Sequence, residues 1–143
     1  MDYLRPVEAA EEGLVTDTGL RIIQEFLPSG ADNRPGGSNP DIYITIHETG
    51  NFARGADAAA HAAYLRGSSA QAAPVSWHYT VDDHSIYQHL PDGERAYHAG
   101  DGGSGPGNAT SIGIEICVDA GGDFEQAKAN AASLVRLLME QHD

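Results

Sequence analysis

Six of the chain's seven histidines fall between His47 and His98. Imidazole titrates near neutral pH and binds metals when neutral, so the carboxylates placed beside such a set decide its chemistry. His47 closes the alternating run IYITIH (42–47), His78 lies in VSWHYTV (75–81), and Glu115 lies in SIGIEICV (111–118). Side chains along a strand point alternately to its two faces. This parity sets Ile42, Ile44 and Ile46 against Tyr43, Thr45 and His47. In the second run Val75, Trp77, Tyr79 and Val81 oppose Ser76, His78 and Thr80. In the third Ile112, Ile114, Ile116 and Val118 oppose Ser111, Gly113, Glu115 and Cys117. If the apolar faces pack on helices, His47, His78 and Glu115 share one side of a sheet. Two imidazoles and a carboxylate there suit a metal or acid–base site, and zinc fits best because neutral imidazole is a preferred ligand. Any one of these histidines alone has a plainer reading as a solvated side chain. Glu115 is harder to dismiss, since burying an unpaired carboxylate between isoleucines is costly.

The remaining candidates carry less chemistry. His61 sits mid-helix, as a surface or packing residue, and His84 and His89 flank a turn and are expected to face solvent. Cys117 has no paired base to make it a nucleophile. The loop from His98 to Asn108 holds five glycines. It lacks the lysine of a phosphate cradle and leads into a strand, so it reads as a rim loop where a ligand approaches backbone.

The elements that must position these groups follow from periodicity. Strands are expected over 42–47, 75–81 and 111–118, with a fourth over 85–90 after the Asp82–Asp83 turn. A helix is predicted over 16–27, with Leu20, Ile23 and Leu27 on one face, Thr16 or Asp17 as cap and Pro28 as stop. The stretch 28–40, with three prolines and three glycines, is expected to lack regular structure. An alanine-rich helix is predicted over 56–66 with Gly67 as its C-cap. A long helix capped by Asp123 carries Phe124, Ala127, Ala131, Leu134, Val135 and Leu138 in one stripe. Strands alternating with helices imply an α/β fold with a central mixed sheet flanked by helices. Residues 1–15 read as a loosely attached arm and 16–143 as one domain.

Composition narrows the partners. Eight Lys+Arg against 21 Asp+Glu give a net charge of −13. Such a surface repels phosphate backbones and anionic headgroups, so neither nucleic acid nor membrane is an expected partner. No run approaches the roughly 20 apolar residues of a membrane span, and residues 1–6 lack the basic-then-apolar order of a secretory signal. Synthesis in the cytoplasm without a signal peptide is therefore expected. A single cysteine excludes an internal disulfide framework and a multi-cysteine zinc site.

Three long segments carry a family likeness: NRPGGSNPDIYITIHETGN (33–51), VSWHYTVDDHSIYQHLPDGERAYHAGDG (75–102) and NATSIGIEICVDAGGDFEQAKANAASLVRLL (108–138). In order and spacing the chain resembles the zinc-dependent N-acetylmuramoyl-L-alanine amidases of the type 2 family, related in fold to the peptidoglycan recognition proteins. The likeness runs from about residue 20 onward and is strongest to amidase domains of phage and prophage endolysins.

The resemblance implies hydrolysis of the lactyl–L-alanine amide of bacterial peptidoglycan, with zinc as cofactor and the cell wall as the place of action. It implies that His47 is a zinc ligand and Glu115 the catalytic acid–base. His78, His98, Thr49 and Trp77 would then line the site as substrate-binding or accessory residues. In the family the other two ligands, a second histidine and then a cysteine or aspartate, follow the long helix, on which this sequence reaches Asp143. The expectation is therefore a complementing polypeptide or C-terminal segment, with a separate wall-binding domain to offset the acidic surface. Three alternatives stay open: His78 or His98 recruited to the metal, a catalytically silent peptidoglycan-binding module, and a histidine-rich metal buffer.

Overall fold

The computed structural model describes residues 15–142. Apart from Val15, the arm expected over 1–15 lies outside them. Strands β1 (Ile22–Gln24), β3 (Tyr43–Glu48), β4 (Tyr79–Val81), β5 (Ile86–Gln88) and β7 (Ser111–Ile116) form one sheet in the order β1-β5-β4-β7-β3. The pairs β1–β5, β4–β7 and β3–β7 are parallel and β4–β5 is antiparallel, which makes the sheet mixed. A two-stranded ribbon pairs β2 (Gly36–Ser38) with β6 (Glu94–Arg95). The helices are α1 (Ala58–Leu65), α2 (Ser68–Ala72), α3 (Pro106–Thr110) and α4 (Phe124–Gln141).

Helix α4 forms where the apolar stripe predicts it. The Asp123 side chain accepts from the backbone N–H of Gln126, satisfying an N–H that has no partner inside the helix. Its buried stripe of Ala127, Ala131, Leu134 and Leu138 packs on Ile112, Ile114, Ile116, Tyr79, Val81 and Ile86. The apolar parity of β7 is thus what docks α4. Leu134 is fully buried at the centre of this layer. Leu134→Ala should lower unfolding free energy by about 2–5 kcal/mol in a denaturant titration, since the cavity left behind adds to the lost burial. A second cluster of Leu27, Leu65, Ala70, Trp77, Leu90 and Ala96 binds α1 and α2 to the rest of the fold.

Several expectations are corrected. No helix forms over 16–27. Gly19 turns at φ 89°, the Thr16 N–H donates to Leu20 O, and Val15 bridges Arg21 before β1 joins β5. Of the face that the helix would bury, Leu27 is covered and Leu20 packs against the core, but Ile23 is exposed and its neighbour Ile22 is buried in its place. Parallel pairing has overridden local helical periodicity here. The glycine-rich stretch 28–40 does contain a strand, β2. Residue 67 is not the C-cap of α1: Arg66 is, and Gly67 starts α2.

The run 75–81 is a strand only from Tyr79, and its four apolar residues do not share a face. Trp77 and Val75 pack in the second cluster, whereas Tyr79 and Val81 pack under α4. Residues 75–76 are held instead outside the ladder: Val75 N–H donates to Ala70 O and Val75 O accepts from Asn33 Nδ2, while Ser76 exchanges hydrogen bonds with the Tyr97 backbone. Ile42 and Ile46 are largely exposed, because β3 is the edge strand and only Ile44 reaches the core.

Candidate functional site

The ladder between β3 and β7 places His47 directly beside Glu115, and the ladder between β4 and β7 places Thr80 on the other side of Glu115. Residues matched across neighbouring strands point to the same face, with the strands about 4.8 Å apart. His47, Glu115 and Thr80 therefore form one row on the face away from α4, as strand parity predicts for the first two. The residue between Ile114 and Ile116 must be the one that leaves the core, and Glu115 is that residue.

Glu115 opens into a cavity of about 370 Å3 whose walls include Glu48, Thr49, His61, Tyr64 and Trp77. Its carboxyl is pushed up to about 7 by burial, close to the pH at which a group can both accept and return a proton. The predicted residues Thr49 and Trp77 thus come together with Glu115. The Trp77 indole is fixed by a 2.6 Å bond from Nε1 to Thr80 Oγ1.

His47 is half-buried and is not part of the cavity wall; its Nε2 lies 3.1 Å from Nδ1 of His98, with the two rings edge to face. Burial lowers the pKa of His47, which keeps the imidazole neutral at pH 7, the state that ligates metals. His98, pushed down to about 4 by burial and by neighbouring His78 and His47, is neutral as well.

His78 is fully buried. Its Nδ1 accepts from the Gly113 N–H at 3.0 Å, so Nε2 carries the proton given to Glu94 O at 2.7 Å. Both ring nitrogens are engaged, and His78 ties β7 to β6 behind the site without reaching the cavity.

Sequence reasoning places other residues differently. His61 packs against Trp77 at 6.3 Å and forms cavity wall. Its register with Tyr64 on α1 is the signal that could have found it. His84 is exposed as expected, but His89 is fully buried, bonded to Thr80 Oγ1 at 2.7 Å and pushed down to about 3. It lies edge-on to the Trp77 ring, which accounts for its burial. Cys117 is buried, and burial raises its thiol pKa, so it stays protonated.

Among the described residues one trio offers three ligand atoms within 4.8 Å of one another: Asp57, Asp82 and His84. Its oxygens already have structural work. Asp82 Oδ1 accepts from His84 N, Ser85 N and Ser85 Oγ, Asp82 Oδ2 accepts from Ala58 N, and Asp57 Oδ1 caps α1 at Ala60. The trio is a capping and turn cluster.

Comparison with known proteins settles the family. The N-acetylmuramoyl-L-alanine amidase family matches residues 37–143. The chain belongs to that family. The amidase XlyA of Bacillus subtilis (strain 168) is 56% identical over 124 residues, covering 87% of this chain and 40% of XlyA. The amidase CwlH of the same organism is 51% identical over 124 residues, covering 87% of this chain and 48% of CwlH. The chain thus spans less than half the length of these curated relatives. The solved catalytic domain of XlyA superposes with a TM-score of 0.81 at 56% identity, covering 86% of this chain and 78% of that domain. The structure of PlyL gives a TM-score of 0.74 at 31% identity, covering 86% of this chain and 75% of PlyL. The mixed sheet with flanking helices is therefore the amidase fold.

Proposed function

We propose that this chain is the catalytic part of an endolysin-like N-acetylmuramoyl-L-alanine amidase that cleaves the lactyl–L-alanine amide of bacterial peptidoglycan. The observation that carries this reading is the row in which Glu115 opens into the cavity with His47 beside it on the same face.

The donor chemistry fits zinc at His47, where a neutral imidazole stands next to a carboxylate that can handle protons. His47 would supply one nitrogen. The rest of the ligand set would come from polypeptide beyond the 143 residues or from a complementing chain. Zinc supplies Lewis acidity, polarising the scissile carbonyl and making water a stronger acid.

Glu115 takes the proton of the attacking water and returns it to the departing alanine nitrogen, a transfer that amide cleavage requires. Its cavity walls exclude bulk water on one side, and Trp77, anchored by Thr80, gives the substrate a flat apolar contact. Thr49 and Asn51 offer hydrogen-bonding groups at the rim. In the same reading a separate wall-binding domain overcomes repulsion between the −13 chain and anionic wall polymers.

The test is product analysis on purified cell wall with added zinc, with and without a peptide or domain that carries the family's later ligands. New N-terminal alanine without new reducing sugar is expected. Muropeptide binding without cleavage under every condition would instead establish a silent binding module. Several metals bound per chain, with no affinity for muropeptide, would mark a metal buffer.

A further inference from the structure

We propose that His98 is a positioning residue that fixes the tautomer of His47, leaving His47 Nδ1 as the nitrogen available to a metal. The functional consequence rests on the zinc amidase reading, but the tautomer itself does not.

The assignment follows from proton bookkeeping along a chain of contacts. Ser111 Oγ donates its one hydrogen to Gly107 O at 2.6 Å. It accepts the hydroxyl hydrogen of Thr45 at 2.8 Å. The same oxygen lies 3.5 Å from His98 Nε2 and has only a lone pair left to offer. His98 Nε2 is therefore the protonated nitrogen, and in a neutral ring His98 Nδ1 then carries a lone pair. That lone pair faces His47 Nε2 at 3.1 Å, so His47 Nε2 carries the hydrogen and donates it. His47 Nδ1 is left with the lone pair, and it makes no hydrogen bond to any described residue. Ligating histidines commonly donate their other N–H to a fixed acceptor, which holds both ring and tautomer. Here the acceptor is a second imidazole.

The fold holds His98 firmly enough for that role. Its ring lies over Gly113, where a Cβ would come within 2.7–2.8 Å of three ring atoms, so β7 needs glycine at this position. Asn108, itself buried, accepts from the N–H groups of His98 and Ala99 at 2.7 and 2.8 Å. His78 closes the other side, with ring centroids 6.1 Å apart. Ser111 and Gly113 are thus the two residues of β7 that seat His98, and Glu115 is the next on the same face.

The experiment is long-range 15N–1H NMR of the histidine rings in the metal-free chain, beside His98→Asn and His98→Ala. His47 is expected with its proton on Nε2 in the wild type. His98→Asn should keep that state, because its side-chain oxygen can accept near where Nδ1 stood. His98→Ala should give mixed tautomers and, with the segment that carries the remaining ligands present, about 10- to 100-fold weaker zinc binding in a chelator competition. A wild-type His47 protonated on Nδ1, or tautomer populations and zinc affinity unchanged in His98→Ala, would overturn the proposal. If the tautomer responds as described while zinc leaves His47 unperturbed even with the segment that carries the remaining ligands present, the positioning role stands and the zinc amidase reading falls.

Discussion

Glu115→Gln is expected to reduce amide cleavage by roughly 100- to 10,000-fold while leaving fold and zinc content in place. The change keeps size and hydrogen-bonding capacity but removes the group that accepts and returns a proton. Steady-state release of N-terminal alanine measures the loss, and zinc content per chain checks that the site survives. A variant that keeps more than a tenth of the wild-type rate would show that the proton is handled elsewhere. The same substitution changes stability with a definite sign. Burial raises the Glu115 carboxyl from 4.5 to about 7, so its contribution in the metal-free chain is fully present below 4.5 and lost as pH rises through about 7. Above pH 7 the ionised carboxylate weakens the wild type, and Glu115→Gln should be the more stable protein. Glu115 keeps part of its surface in the cleft, so the gain is about 1–2 kcal/mol, smaller than the shift alone would give. Below pH 4.5 the difference should vanish. The buried histidines act in the opposite direction: His98 and His89, pushed down to about 4 and about 3, cost stability as pH falls below 6.5. The metal-free chain should therefore have its stability maximum between these limits, which denaturant midpoints across the pH range would locate.

His47→Ala is expected to abolish both cleavage and zinc binding at the candidate site. One of only a few ligands is removed, and a catalytic zinc ordinarily needs three from protein. With the segment that carries the remaining ligands present, zinc affinity should drop by at least about 100-fold in a chelator competition, with the denaturant midpoint little altered, because His47 lies on the edge strand and is only half-buried. A His47→Ala protein with unchanged affinity would move the metal to another donor set.

The sequence made parts of this architecture legible for a physical reason. Alternation is informative where one face of a strand is apolar and packs on a helix, as the Ile112, Ile114 and Ile116 face of β7 does under α4, and this is why Glu115 and His47 could be assigned to the same side. The rule fails where that condition fails. At the sheet edge Ile42 and Ile46 remain exposed despite their parity. Before β4 the segment 75–77 lies outside the ladder, which His78 enters by donating to Gly113 O, and Trp77 and Tyr79 separate to different clusters. Residues 16–27 carry both helical spacing and the β-branched pair Ile22–Ile23, and a parallel partner, β5, decides between them. The burial of His89 and the cavity role of His61 depend on contacts across the fold with Trp77, which no local pattern records. The family segments supplied what periodicity did not, namely the expectation that one particular carboxylate and one particular imidazole serve the same reaction.

Anomalous scattering at the zinc edge, from crystals of the chain together with the segment that carries the remaining ligands, grown or soaked in millimolar zinc, is the most direct measurement. The expected result is a zinc peak about 2.0–2.1 Å from a ring nitrogen of His47, on the face that Glu115 shares. Zinc bound at Asp57, Asp82 and His84 with His47 bare, or His47 and Glu115 pointing from opposite faces of the sheet, would contradict it.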